Sequence, residues 1–285
     1  MRVPFLNLRI MPFGIESALT NKKNLMLALT WRRLFNNHKD RIFSNSLPKS
    51  GTHLLNRCLI LMPGMFMAGQ HLNAKRNVYK KETALRNLGG GCIVTAHLPY
   101  SDEQRKKLDE MGYKQIVMIR DPRDLIVSQY HFIKERSVAR LHPYFSKLPD
   151  DDARLTAAIQ GAPDSESPYG MGFPDIGTRF AQYLEWAKHG SHMVRFEDLV
   201  GESGGGSRDV QLAEIEKLSK FVNIHLSSDE LKTIAGLIFD RKAKTFRKGV
   251  IGDWRTTLSE THKQQLKGLI GPLLVELGYE SNLNW

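Results

Sequence analysis

Cysteine is scarce in this chain, with only Cys58 and Cys92 among 285 residues. Two thiols cannot staple a chain of that length, which excludes a small disulfide scaffold and fits a reducing compartment. Long hydrophobic runs are missing too. Val3 to Ile15 is interrupted by Asn7, Arg9, Pro12 and Gly14, and Leu54 to Ala68 by Asn56, Arg57, Pro63 and Gly64. A signal peptide needs about 7–15 uninterrupted apolar residues and a spanning helix about 20. The expectation is therefore a soluble, cytoplasmic protein with no membrane partner. There is also no internal repeat, zinc-finger spacing, RNP-type aromatic motif or basic heptad region, so nucleic acid is not the expected partner.

What the chain does contain is enough apolar sequence, 41% of residues against 25% charged, to bury a sizeable core, and whole-chain disorder is excluded. It carries 41 Lys and Arg against 30 Asp and Glu, a net charge of +11. Such an excess points to an anionic partner or to surface charge with no special role. The basic residues form no single long run, which favours a small phosphorylated ligand over a polyanion.

Short β-like runs alternate with amphipathic stretches. Asn21 to His38 reads as a helix. Arg41 to Ser46 reads as a strand, followed by a turn and a helix from Thr52 to Met62. Cys92 to His97 and Gln115 to Arg120 read as further strands, and Met193 to Phe196 as a fourth. Pro122 stands where a first-turn proline belongs, with a helix running on through Tyr130. Strands separated by helices imply one α/β domain, a central and mostly parallel sheet flanked by helices. Two loops stand out: Gly161 to Gly177, rich in Gly, Pro, Ser and acidic residues, and the triple-glycine segment Gly201 to Ser207. No strand–turn–helix frame closes around the second, so it reads as a flexible surface connection.

Three segments carry chemistry. In Pro48-Lys49-Ser50-Gly51-Thr52-His53 a strand ends, the chain turns and a helix begins. Backbone N–H groups at such a turn form an anion nest, the helix N-terminus adds its positive end, and Lys49, Ser50 and Thr52 add a charge and hydroxyl donors. It is not a Walker A loop, because Pro48 stands where the glycine before the lysine belongs. In the second segment, Arg120-Asp121-Pro122-Arg123-Asp124, Arg120 falls at the C-terminal end of a parallel strand, where open α/β sheets bind ligands. Ser128 follows on the next helix, and an Arg fork plus a hydroxyl suits a terminal phosphate. Asp121 and Asp124 read as a helix cap and a partner for Arg123. The third segment, Arg247-Lys248-Gly249-Val250-Ile251-Gly252-Asp253-Trp254, sets two cations beside glycines that let backbone approach a ligand.

Together these motifs, in this order and spanning about Arg41 to Leu277, resemble the cytosolic-type sulfotransferases, which use 3′-phosphoadenosine-5′-phosphosulfate (PAPS) as co-substrate. The resemblance implies a P-loop-like phosphosulfate loop at Lys49, Ser50, Gly51, Thr52 and His53, with Lys49 at the bridging oxygen. It implies that Arg120, Ser128, Arg247, Lys248 and Gly249 hold the 3′-phosphate, and that His97 is the general base. Residues 41–285 would form the sulfotransferase domain, and residues 1–40 a lead and helix packed on it. Histidine suits the base role because its ordinary pKa of about 6.5 allows proton abstraction near neutrality. The other nine histidines show no triad or metal spacing, and His189 and His192 are expected to face solvent. Transfer is expected to be direct and in line, without a metal, because the leaving adenosine 3′,5′-bisphosphate (PAP) is a stable anion and fixed positive charge can serve.

The chain departs from the family pattern at Thr95, where a lysine is usual two residues before the base. His53 replaces the loop's second threonine, Leu54 the tryptophan that stacks on adenine, and Phe196 a tyrosine before Glu197-Asp198. The C-terminal dimer signature of many animal members reads Ser259-Glu260 at its centre and Gln264 at its end, so a monomer or a different dimer is expected. Met62 to Met67 and the loop Pro163 to Pro174 are candidates for shaping the acceptor site, with core packing as the alternative for the methionines and solvated charge for Asp164, Glu166 and Asp175. A small hydroxyl- or amine-bearing metabolite is the expected acceptor. A P-loop kinase using ATP and a non-catalytic nucleotide-binding protein are the competing readings. The first lacks its glycine–lysine arrangement and metal carboxylate, and the second has no use for His97.

Overall fold

The computed structural model describes residues 40–285 apart from 75, 164, 166–172 and 242–246. The helix expected over Asn21 to His38 lies outside the described residues. The chain runs β1 (Arg41–Ser46), α1 (Thr52–Ile60), β2 (Phe66–Asn73), α2 (Val78–Arg86), β3 (Cys92–His97), α3 (Asp102–Glu110) and β4 (Tyr113–Ile119). It continues through α4 (Pro122–Glu135), α5 (His142–Lys147), α6 (Asp151–Gln160), α7 (Ile176–Lys188), β5 (His192–Arg195) and α8 (Phe196–Leu199). The last helices are α9 (Arg208–Phe221), α10 (Ser228–Leu237), α11 (Trp254–Thr257) and α12 (Glu260–Glu276).

The five strands form one parallel sheet in the order β2-β3-β1-β4-β5. Because every strand runs the same way, every strand-to-helix loop emerges at one edge. The order reverses around β1: the chain builds outward to β3 and β2 on one side and to β4 and β5 on the other. Ligand crevices of open α/β sheets lie at such a reversal, beyond the carboxyl ends of the strands. The central strands are buried on both faces, as β1 shows: Ile42, Phe43, Ser44, Asn45 and Ser46 are all buried. One core cluster packs α4, α6, α7 and α12 together, a second joins α1 to α9 and α10, and a third gathers Val94, Leu85, Leu108 and Trp186. Among the described residues no helix is long and apolar enough to cross a membrane.

Of Met62 to Met67, Met62 and Met65 take the core-packing alternative, and Phe66 opens a strand the pattern did not reveal. Two further sequence expectations are corrected here. The segment Gly201 to Ser207 is not a loose connection. Glu202–Gly204 forms a 3₁₀ turn, Gly204 and Gly206 both donate backbone N–H groups to Gly201 O at 3.1 and 2.9 Å, and Gly204 is buried. His192, expected in solvent, stacks on Phe221 with ring centroids 4.6 Å apart, whereas His189 is exposed.

Candidate active site

The turn after β1 is shaped by two left-handed residues, Lys49 at φ 80° and Gly51 at φ 106°. A left-handed lysine is uncommon and strained, and such strain collects at functional sites. Gly51 has no freedom to change: a Cβ there would lie 2.7 Å from Phe196 Cδ2. Gly51 is the N-cap of α1, no side chain caps that helix, and its first turn holds no acidic residue. Its first-turn N–H groups have no acceptor within the helix, and they and the positive dipole end face the turn, ready for an anion. The turn is fastened from outside, because Gln129 on α4 donates to Pro48 O at 3.1 Å and is itself held by Arg179.

His97 ends β3 on the other side of β1. Its Nδ1 lies 2.8 Å from Ser46 O. A carbonyl oxygen only accepts, so Nδ1 carries the proton and Nε2 is left with a bare lone pair. Burial pushes the imidazole down to about 4, against the raising effect of the Ser46 bond, and His71, His53 and Lys49 push it the same way as burial. Asn45 clamps the chain just past the histidine, donating to Leu98 O at 2.9 Å and accepting from Leu98 N at 3.0 Å. Lys49 Nζ sits 4.7 Å from the centre of the Phe132 ring. Burial, then Arg120, Arg247 and Arg136, lower it to about 8.

Arg120 leaves β4 with its guanidinium 4.2 Å from the Phe196 ring centre, and donates to Val250 O at 2.7 Å. Asp124 lies 3.6 Å from it and accepts from Gly252 N at 2.7 Å and Trp254 N at 3.0 Å. The second acidic residue of that motif thus anchors the third motif rather than pairing with Arg123. Asp121 fits its expected role, capping α4 and binding Arg123. Arg247 and Lys248 both pair with Asp253, and Gly249 has φ 64°. The glycine-rich turn supports this segment: Gly204 O accepts from Ile251 N at 2.9 Å, and a Cβ on Gly204 would meet Gly249 O at 2.6 Å. Glu197 accepts from Asp121 N and the Tyr279 hydroxyl behind Arg120, and burial pushes its carboxyl up to about 7.

Lys49, His53 and His97 thus gather at one end of the crevice, and Arg120, Arg247 and Lys248 at the other, close enough that Arg120 and Arg247 depress Lys49. Ser128 is nearly buried, almost two turns into α4, and Thr52 Oγ1 lies 2.6 Å from Ser46 Oγ. Ser50 Oγ, Arg120 Nε and Arg247 Nε are buried without a hydrogen-bond partner. Donors left in surplus at three points of one positive crevice match a ligand rich in anionic oxygens. Among the described residues, no group of three or more His, Cys, Asp or Glu side chains is placed to hold a metal ion. Leu54, at the adenine-stacking position, packs into the core. Asp175 caps α7 through Thr178 N, while Asp164 and Glu166 lie outside the described residues.

Sequence reading overlooked Asn45, Gln129, Gly204 and His71. Only Gly204 left a mark in the sequence, as part of a glycine run. The others work through contacts between segments far apart in the chain.

Comparison with known proteins agrees with this architecture. The sulfotransferase domain family model matches residues 3–278. Sulfotransferase 6B1 of Danio rerio is 24% identical over 189 residues, 60% of this chain and 55% of that protein, and its Mus musculus counterpart is 24% identical over 61% of this chain and 54% of that protein. The matched part spans about half the length of these curated relatives. In fold, the chain resembles mouse sulfotransferase SULT7A1 complexed with PAP, at TM-score 0.58 and 18% identity over 88% of this chain and 93% of that one. It also resembles retinol dehydratase in complex with androsterone and inactive cofactor PAP, at TM-score 0.55 and 15% identity over 87% and 85%.

Proposed function

The chain belongs to the sulfotransferase domain family, and on that footing we propose that it moves a sulfuryl group from PAPS to a hydroxyl or amine of a small-molecule acceptor. One observation carries this reading: an imidazole with its Nδ1 proton tied to Ser46 O and its Nε2 lone pair bare, beside a lysine at the mouth of an anion nest. A nucleotide-binding protein has no need of a base there.

The phosphosulfate lies on the nest of Lys49, Ser50, Gly51, Thr52 and His53, against the N-terminus of α1. The 3′-phosphate is taken by Arg120, Ser128, Arg247, Lys248 and Gly249, and draws Arg247 and Lys248 from Asp253, which holds them otherwise. The acceptor oxygen attacks sulfur while His97 Nε2 takes its proton, the bond from sulfur to the bridging oxygen breaks, and PAP leaves. Lys49 faces the negative charge that grows on that oxygen, and a fixed cation at a developing charge lowers the barrier without rearrangement.

Support for a cytoplasmic location comes from Cys58 and Cys92, both buried and neither in a disulfide. Residues 41–285 form the catalytic domain with 1–40 as its lead, acting as a monomer or through an interface other than the C-terminal signature, with no nucleic-acid or membrane partner.

The test is His97→Ala assayed for PAPS-dependent sulfation across phenols, alcohols and amines. PAP binding is expected to survive while turnover falls by about 10²–10⁴. Unchanged turnover would remove His97 from the base role.

A further inference from the structure

His71 is a second imidazole beside the proposed base, and the reaction as described makes no use of it. It stands on β2, the edge strand, whose pairing with β3 is irregular between Met67 and His71, with Gly69 in the left-handed region at φ 67°. A bulge of this kind re-aims the side chains that follow it. After it, His71 pairs with Thr95 and Asn73 with His97. Side chains two apart on a strand share a face, so His71, Thr95 and His97 project from the same side of the sheet, at the edge where the crevice opens.

Thr95 Oγ1 has one proton and two partners, Gln70 O at 3.3 Å and His71 Nδ1 at 2.9 Å. A carbonyl oxygen can only accept, and assigning the proton to it makes Thr95 Oγ1 the acceptor of His71 Nδ1–H and leaves a bare lone pair on His71 Nε2. Burial and Arg76 lower its pKa below the ordinary value, which keeps that lone pair available at neutral pH. The His71 and His97 rings meet edge to face with centroids 4.9 Å apart. The His71 ring is partly enclosed by its neighbours, enough to lower its pKa, while the residue stays accessible to solvent at this edge. The site therefore presents two adjacent imidazoles, each anchored through Nδ1 and each with an unprotonated Nε2. One base needs one such nitrogen.

We propose that His71 is a specificity-determining residue that accepts a hydrogen bond from a second donor on the acceptor, so that the preferred acceptor carries two neighbouring O–H or N–H groups, as a catechol or vicinal diol does. This rests on the sulfuryl-transfer reading, in which the donor beside His97 is the one that reacts. An acceptor with a single hydroxyl leaves the His71 lone pair unmet once water has been displaced, and sites built around a hydrogen bond discriminate strongly against the analogue that lacks it. The threonine that stands where the family usually has a lysine is what holds His71 in this state.

The test uses two probes of nearly equal apolar surface, 2,3-dihydroxynaphthalene and 2-naphthol. Binding of each to the PAP-loaded full chain is measured by calorimetry, and sulfation of each is followed with PAPS. The diol is expected to bind at least tenfold more tightly and to have the higher kcat/KM, beyond the statistical factor of two for two reactive hydroxyls. His71→Phe should collapse both preferences, mainly through KM, and His71→Gln, which retains an acceptor oxygen, should keep part of them. Equal affinity for the two probes, failure of both to bind, or a diol preference that persists in His71→Phe overturns the proposal. A purely structural histidine would lower both probes in parallel, which also overturns it. Because the binding arm involves no chemistry, diol preference together with an active His97→Ala would remove the base and keep His71. Lost turnover in His97→Ala with no diol preference would do the reverse.

Discussion

Lys49 is held near a pKa of about 8 by burial and by Arg120, Arg247 and Arg136, and His97 near about 4 by burial that outweighs its bond to Ser46. A general base must be neutral to act, and a depressed pKa leaves His97 neutral far into acid. The acid limb of kcat/KM is therefore expected to fall at about pH 4–5 rather than near the ordinary histidine value of about 6.5. Lys49 must be charged to act, and it loses its proton as pH rises through about 8. The basic limb of kcat/KM for PAPS should therefore fall near pH 8. In the profile of kcat it should move upward, because bound phosphosulfate favours the ammonium. A profile in kcat/KM that stays flat to pH 10 would contradict the placement of Lys49. Both proposed roles come from resemblance in sequence, since each residue sits inside a short motif. The charge states could not, because they arise from groups as distant in the chain as Arg247 and Ser46.

The third motif is held in place by two elements that look unrelated to it in sequence. Asp124, on α4, accepts two of its backbone N–H groups, and the turn at Gly204 supports Ile251 and packs on Gly249. A Cβ on Gly204 would also meet Val200 Cγ2 at 2.2 Å. Gly204→Val is accordingly expected to displace the Arg247–Gly249 segment and weaken PAP binding about tenfold, roughly 1.4 kcal/mol, while leaving adenosine 5′-phosphate binding nearly as it was. Equal weakening of the two nucleotides would show that the turn does not act through the 3′-phosphate grip. The glycine run suggested looseness because composition alone cannot distinguish a linker from a turn packed against backbone. Strands β1, β3, β4 and β5 were legible to within two residues, since each reads as a short β-like run set between helical stretches. Strand β2 was not: an edge strand with Gly69 at a bulge and with Gly69 and His71 exposed breaks that pattern.

At the scale of the whole molecule, the cations of the crevice are gathered by the fold rather than by a run along the chain. Lys49, Arg120, Arg247 and Lys248 come from three loops that parallel strands and α10's following segment bring to one sheet edge, where orphaned donors at Ser50, Arg120 and Arg247 await anionic oxygens. The motif spacing made the proposed donor site legible because two of its three motifs lie at strand ends, after β1 and after β4. The proposed acceptor side was not legible, since the His71–Thr95–His97 arrangement exists only through β2–β3 register. The measurement that tests the account most directly is calorimetric titration of the full chain with PAP, adenosine 5′-phosphate and ATP–Mg²⁺. Strong preference for PAP, with no metal added, is the result predicted from the proposed grip of this cluster on a 3′-phosphate. Equal or tighter binding of ATP–Mg²⁺ would contradict it and bring the kinase reading forward.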